Sequence, residues 1–329
     1  MRGHPGDERG FALLAVILVL ALLSVVVTEF AFSMRLEASM VRAYRDGVLG
    51  RNLAEAGVQQ AIREILTDSN VHAVDENGQV AFYTLPPGGT EVQRVPSLPR
   101  TRVPLGAGAY SYRILDEEAR LNLNSGQTGR MDRLLSALGV DKIERDTIVD
   151  SIEDWRDAND TARANGAESD EYLKRPVPYK ARNANLQDPT ELLQIKGVTP
   201  EIYYGSADKP GLGDMVTARG RGTVNLNTAP APVLSAMGLS DAEIGDVMQA
   251  RSIAPYPSVP GRFGGQRVTV GSSTFRIEAE GLVAGDPKTR IVAIVQKGGA
   301  TSGGAATISV LSWRFEPPHK ATKEDAGKS

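Results

Sequence analysis

Between positions 150 and 171 the chain sets eight carboxylates against two arginines. Asp150, Glu153, Asp154, Asp157, Asp160, Glu168, Asp170 and Glu171 stand beside Arg156 and Arg163, with Asn159, Asn165 and Gly166 among them. One reading is a solvated acidic helix face that binds nothing. The other is a calcium site, because Ca²⁺ takes about six to eight oxygens from carboxylates, amides and backbone carbonyls. Counting Asp157 as position one puts Asn159 at three, Thr161 at five and Glu168 at twelve, the spacing of an EF-hand loop. Ala162 fills the sixth position, where that loop turns on Gly, so the spacing excludes a true EF-hand and leaves a calcium loop of another shape.

Other chemistries are poorly supplied. The 329 residues include no Cys and three His, namely His4, His72 and His319, which removes thiol chemistry and Cys/His zinc sites. No Ser/His/Asp spacing, phosphate loop or zinc-hydrolase motif is present, so no enzyme is expected. The charge balance, 37 Lys+Arg against 40 Asp+Glu, speaks against a dedicated nucleic-acid binder. Length and a 41% hydrophobic composition fit one or two globular domains.

Several elements must position these groups. From Phe11 to Val27 only Ser24 is polar, long enough for a helix to cross a bilayer. Helical spacing then continues through Leu36, Met40, Leu53, Ile62 and Ile65, which predicts one helix over 11–66 that Gly47, Gly50 and Gly57 weaken and bend. A signal peptide cut after Ser33 and a plain membrane anchor are the simpler readings of the apolar run. Residues 67–110 read as loop-rich, and Tyr110–Ile114 alternates like a strand.

The run Leu121-Asn-Leu-Asn124 is echoed by Val224-Asn-Leu-Asn227, each handing over to a helix. Leu135-Ser-Ala-Leu-Gly139-Val140 matches Leu234-Ser-Ala-Met-Gly238-Leu239, with Lys196-Gly197-Val198 closing a looser third copy. Each predicts a helix ended by Gly in the left-handed C′ position and a second helix beyond it. Such hairpins grip DNA phosphates in many proteins, and a membrane-anchored DNA-binding protein is the alternative function. The acids after Gly139 oppose it, and compact helix packing is the plainer reading. From 262 onward the pattern turns to strands, with a hairpin over 267–279 and two further strands at 289–295 and 306–313.

Two resemblances organise these features. A short charged leader ending in Arg9-Gly10, with Phe11 opening the apolar run, resembles the processing site of type IV pilin-like proteins. It implies cleavage after Gly10 by a prepilin peptidase and N-methylation of Phe11. Ala15 stands where most of these proteins carry Glu, and in this, as in its acidic run, the chain resembles the minor pseudopilin K family of the type II secretion system. That resemblance implies an α+β protein with a type IV pilin-like fold: a long N-terminal helix on a small antiparallel sheet, with a large all-helical domain inserted. The expected divisions are a leader 1–10, a helix 11–66, a pilin-like domain 67–123 and 223–316, a helical insertion 124–222 and a disordered tail 317–329. The helix at 229–251 fits either domain. It also implies calcium held by Asp157, Asn159, Asp160, Glu168 and Asp170. The implied partners are the minor pseudopilins I, J and H, the major pseudopilin G and the inner membrane, with the head in the periplasm and no nucleic acid. The implied task is to start and cap the pseudopilus that moves folded proteins across the outer membrane.

Overall fold

The computed structural model describes residues 7–125, 128–299 and 306–318. Most of the expected leader and of the expected tail therefore lies outside the described residues. Helix α1 (Asp7–Ile65) runs unbroken for 59 residues, about 90 Å at 1.5 Å per residue. Its first two-thirds carries exposed apolar side chains, from Phe11 (77% exposed) through Phe32 to Tyr44. Only the last third is buried on one face, where Leu53, Ala54, Val58, Ala61 and Ile65 recur at helical spacing.

That face lies on a five-stranded antiparallel sheet. After α1 come β1 (Val71–Val74), β2 (Val80–Thr84), β3 (Gln93–Arg94), β4 (Val103–Leu105) and β5 (Gly108–Asp116). Near the end of the chain come β12 (Thr274–Val283), β13 (Asp286–Lys297) and β14 (Ile308–Glu316), separated from β5 by the elements described below. The sheet order is β14-β13-β12-β5-β4. Its inner face alternates as a half-buried sheet should: Ile277 pairs with Ile114 on one side and Ala293 on the other, and Ala279 with Tyr112 and Ile291.

Gly50 and Gly57 do not interrupt the helix; they let it approach the sheet. A Cβ on Gly281 of β12 would be driven into the Gly50 carbonyl, and one on Gly57 would come 3.2 Å from the Ala279 Cβ. The contact is sealed by an ion pair inside the head, where Arg100 reaches the buried Glu64 at 2.7 Å and the Tyr112 hydroxyl donates to Glu64 at 2.9 Å.

The stretch between β5 and β12 makes a second core. Its elements are β6 (Leu121–Asn122), α2 (Thr128–Ala137), α3 (Lys142–Arg156), α4 (Ser169–Tyr172), α5 (Pro200–Tyr204), β7 (Gly205–Ser206), β8 (Lys209–Pro210), α6 (Leu212–Met215), β9 (Val216–Thr217), β10 (Val224–Asn225), α7 (Ala231–Ala236), α8 (Asp241–Ile253) and β11 (Val268–Thr269). Its core draws side chains from Leu121 through Leu134, Trp155, Leu192 and Val233 to Phe263. The packing unit thus reaches past the expected limit at 222, and α7 and α8 belong to it because Val233, Leu234 and Val247 are fully buried there.

One other expectation fails. Residues 267–279 are no hairpin: β11 pairs parallel with β10, while β12 pairs with β5 and β13. The tight turn is instead between β12 and β13, at Ala284 and Gly285, both with positive φ. Most of 67–110 is loop, as expected, but β1, β2 and β3 within it form a small antiparallel sheet turned at Asp75 to Gly78.

Asp116, at the end of β5, ties the two cores together. Its buried carboxylate accepts from Thr228 Oγ1 and Ser272 Oγ at 2.6 Å each, from Asn225 Nδ2 at 3.1 Å and from the Glu118 amide at 2.8 Å. Burial pushes its pKa up to about 6.

Replacing Gly281 by Ala forces α1 off the sheet. The expected cost is about 1–3 kcal/mol, as for other overpacked cores, read as a lower urea midpoint of the full chain in detergent. An unchanged midpoint would show that the helix–sheet spacing is not set at this contact.

Candidate functional site

Helix α3 presents Asp150, Asp154 and Asp157 at four- and three-residue spacing, along one face. The loop that follows folds back over this face. Asp150 accepts from the Asn165 amide at 3.1 Å, Asp154 from the Arg163 amide at 3.1 Å, and the Arg163 guanidinium reaches Asp154 and Asp157 at 2.7 Å each. Gly166 is needed because a Cβ there would be driven into Asp154 Oδ2. Beneath the loop, Trp155 and Tyr172 meet edge to face at 5.2 Å and fix its base.

Glu168 closes the loop at the N-cap of α4 but makes no capping bond. It is 5% exposed, and neither of its oxygens has a hydrogen-bond partner. A buried carboxylate without donors is costly in its charged form. Burial, then repulsion from Asp154, Asp157 and Asp160, pushes its pKa up to about 7. Arg163 only partly offsets this. The arrangement gathers carboxylate oxygens around the Arg163 guanidinium and leaves Glu168 with an unmet demand for positive charge, which a hard dication could answer.

The sequence-derived set separates in the structure. Asp157, Asp160 and Glu168 are brought into electrostatic contact. Asn159 is exposed and spends its side chain on the loop itself, donating to Asp157 at 2.7 Å and accepting from the Thr161 amide at 2.8 Å. Asp160 accepts from Asn183 at 2.9 Å. Asp170 is exposed in the first turn of α4. Asp154, fully buried, was missed as a site residue. Its place four residues after Asp150 and three before Asp157 was the signal that could have found it. Among the described residues, no three Asp, Glu or His side chains converge on one point.

The hairpin glycines do take the left-handed conformation, with φ of 81° at Gly139, 89° at Gly197 and 97° at Gly238. The helices they end, α2 and α7, pack against each other. The echoed Asn pairs act alike. Asn122 and Asn225 cap turns by accepting from the amides two residues on. Asn124 clasps the backbone of Leu186, and Asn227 that of Tyr256, each through one donated and one accepted bond. Gly10 lies within α1, and Phe11 opens the exposed apolar stretch, which is long and apolar enough to cross a membrane.

This architecture has relatives among known proteins. Residues 114–205 match the family model described as type II secretion system (T2SS), protein K. Type II secretion system protein K of Pseudomonas aeruginosa is 24% identical over 320 residues, spanning 88% of this chain and 89% of that protein. Over these residues the chain resembles the type II secretion system protein K family. The protein of that name from Pectobacterium carotovorum is 29% identical over 132 residues, 36% of this chain and 40% of the relative. In fold, the chain is similar to one from the crystal structure of the GspK-GspI-GspJ complex of enterotoxigenic Escherichia coli. The TM-score is 0.60 at 19% identity, over 86% of this chain and 100% of that one. The fold is pilin-like, a long N-terminal helix on a small antiparallel sheet.

Proposed function

We propose that the chain is a minor pseudopilin at the tip of the type II secretion pseudopilus, where it starts and caps the filament that exports folded proteins. The observation that carries this reading is the division of α1. One continuous helix buries its last third in the head and leaves an apolar surface from Phe11 to Tyr44 without a partner among the described residues. Such a surface suits first a bilayer and then lateral packing against other helices. The second core, with α2, α3, α7 and α8, broadens the head, and a broad head is sterically tolerated where nothing stacks above it. Ala15 leaves α1 without the carboxylate that would answer a neighbour's terminal amine.

The structural relative was solved in complex with GspI and GspJ. By analogy the partners here are minor pseudopilins I and J, with H and the major pseudopilin G below them. A prepilin peptidase cuts between Gly10 and Phe11, and the head stands in the periplasm above the inner membrane. Immunogold labelling of pseudopili sheared from cells is expected to mark this chain at one filament end only. Labelling along the shaft would contradict the tip position.

Calcium completes the reading of the acidic loop. Asp154, Asp157, Asp160 and Glu168 are the residues to hold it, with Asn159 adjoining and Asp170 as the outer, exposed candidate. The ion supplies charge neutralisation: it would relieve the repulsion that raises Glu168 and pin the loop to α3, a staple for a chain without disulfides.

The pH dependence follows from Glu168. Its folded pKa, about 7, lies above the ordinary 4.5. Without metal the folded state therefore keeps a proton that the unfolded chain releases, so stability is highest below the ordinary value and falls as pH rises to about 7. In chelator, the melting temperature should fall over this window, and Ca²⁺ added above it should restore the loss. Glu168→Gln should flatten the pH profile and blunt the calcium response. A wild-type melt indifferent to calcium would refute the assignment.

A further inference from the structure

A cleft of about 480 Å³ opens between the loop after β9 and the outer strands of the sheet. Arg219, Arg221 and Arg267 line it, and no described carboxylate does. Among the described residues none of the three is in an ion pair, and Arg219 Nε is buried without a partner there. The loop runs Ala218-Arg219-Gly220-Arg221-Gly222, with φ of 99° at Gly220 and 73° at Gly222. Asn122 Nδ2 takes up the carbonyls of Arg219 at 3.1 Å and Gly220 at 2.9 Å. The amides of residues 220–222 donate to nothing among the described residues. Acceptors are thus consumed while donors and positive charge remain, the composition of an oxyanion site. Arg130, 6% exposed, adds a buried cation with Nη1 unpartnered, repelled by Arg267.

Position narrows the source of the oxyanion. Arg221 also borders a second cleft, which Thr67, Asp68, Ser69 and Lys297 line just past the end of α1. From Tyr44, the end of the exposed apolar surface, to Ile65 the helix rises about 30 Å, so the headgroups of a membrane entered by α1 are out of reach. Leu311 of β14 gives the cleft an apolar margin, and β14 is the outermost strand of its sheet. An edge strand offers main-chain groups to an extended segment, which a free ion cannot use.

We propose that this arginine cleft docks an acidic, extended segment of a partner protein, its carboxylates held by Arg219, Arg221 and Arg267 beside the edge of β14. The test uses the full chain in detergent micelles and a fluorescein-labelled hexaglutamate peptide, followed by anisotropy at ~50 mM salt, where such contacts are least screened. Binding is expected to weaken about tenfold or more in the Arg219→Gln/Arg221→Gln double variant, and severalfold in Arg267→Gln. Lys142→Gln, on the exposed face of α3, should leave it unchanged. Arg267 is exposed, so its variant keeps the test valid if the double variant does not fold. Three outcomes overturn the proposal. One is peptide binding that survives the arginine variants or is absent altogether. Another is inorganic phosphate binding at these arginines while the peptide does not. The third is arginine-dependent capture of phosphatidylglycerol micelles in preference to the peptide.

Discussion

Gly50 of α1 lies backbone to backbone on Gly281 of β12, and the rest of the structure depends on that contact. With no side chain between them, helix and sheet backbones meet, and Ala54, Val58 and Ala61 fall onto Ile277, Ala279 and their neighbours. The helix is thereby fixed to the head over one third of its length and free over the remainder. An apolar helix projecting from a rigid head has to be covered by lipid or by other helices, and the filament reading starts from that requirement. Glu64, buried with Arg100 and Tyr112 as partners, holds the helix in register. Removing one member would leave an uncompensated buried charge.

The second core is attached through polar contacts rather than apolar ones. Asp116 gathers Asn225 and Thr228 from one turn and Ser272 from another segment, while Glu117 next to it meets Arg276 at 2.6 Å and Thr217. These buried, fully partnered acids specify the orientation of the helical unit against the sheet. The acidic loop on α3 contrasts with them. There Asp150, Asp154, Asp157 and Asp160 have donors and Glu168 has none, so the same residue type that orients the head at 116–117 leaves an unmet demand at 168.

Much of this was legible in the sequence. The long helix, the C-terminal strands, the left-handed glycines and the acidic loop all carry local signals of period, turn type or charge. What escaped was set by distant partners. β1 and β2 are too short and too near Pro and Gly to read as strands, yet His72 is buried between Phe82 and Phe275. Arg267-Val-Thr-Val270 has a hairpin's pattern, but its mate is Val224, forty-odd residues upstream and parallel. Asn159 and Asp170 look like ligands by type, whereas the fold turns them to solvent and buries Asp154 instead. Gly50 and Gly57 look like helix breakers until the sheet beside them is seen.

The most direct test of the account is the N-terminus of the mature chain, read by intact mass and N-terminal sequencing after expression with and without a prepilin peptidase. The account predicts loss of residues 1–10 only when the peptidase is present, leaving an N-methylated Phe11 at the head of α1. An uncut Met1 under both conditions, or a start just after Ser33, would contradict it.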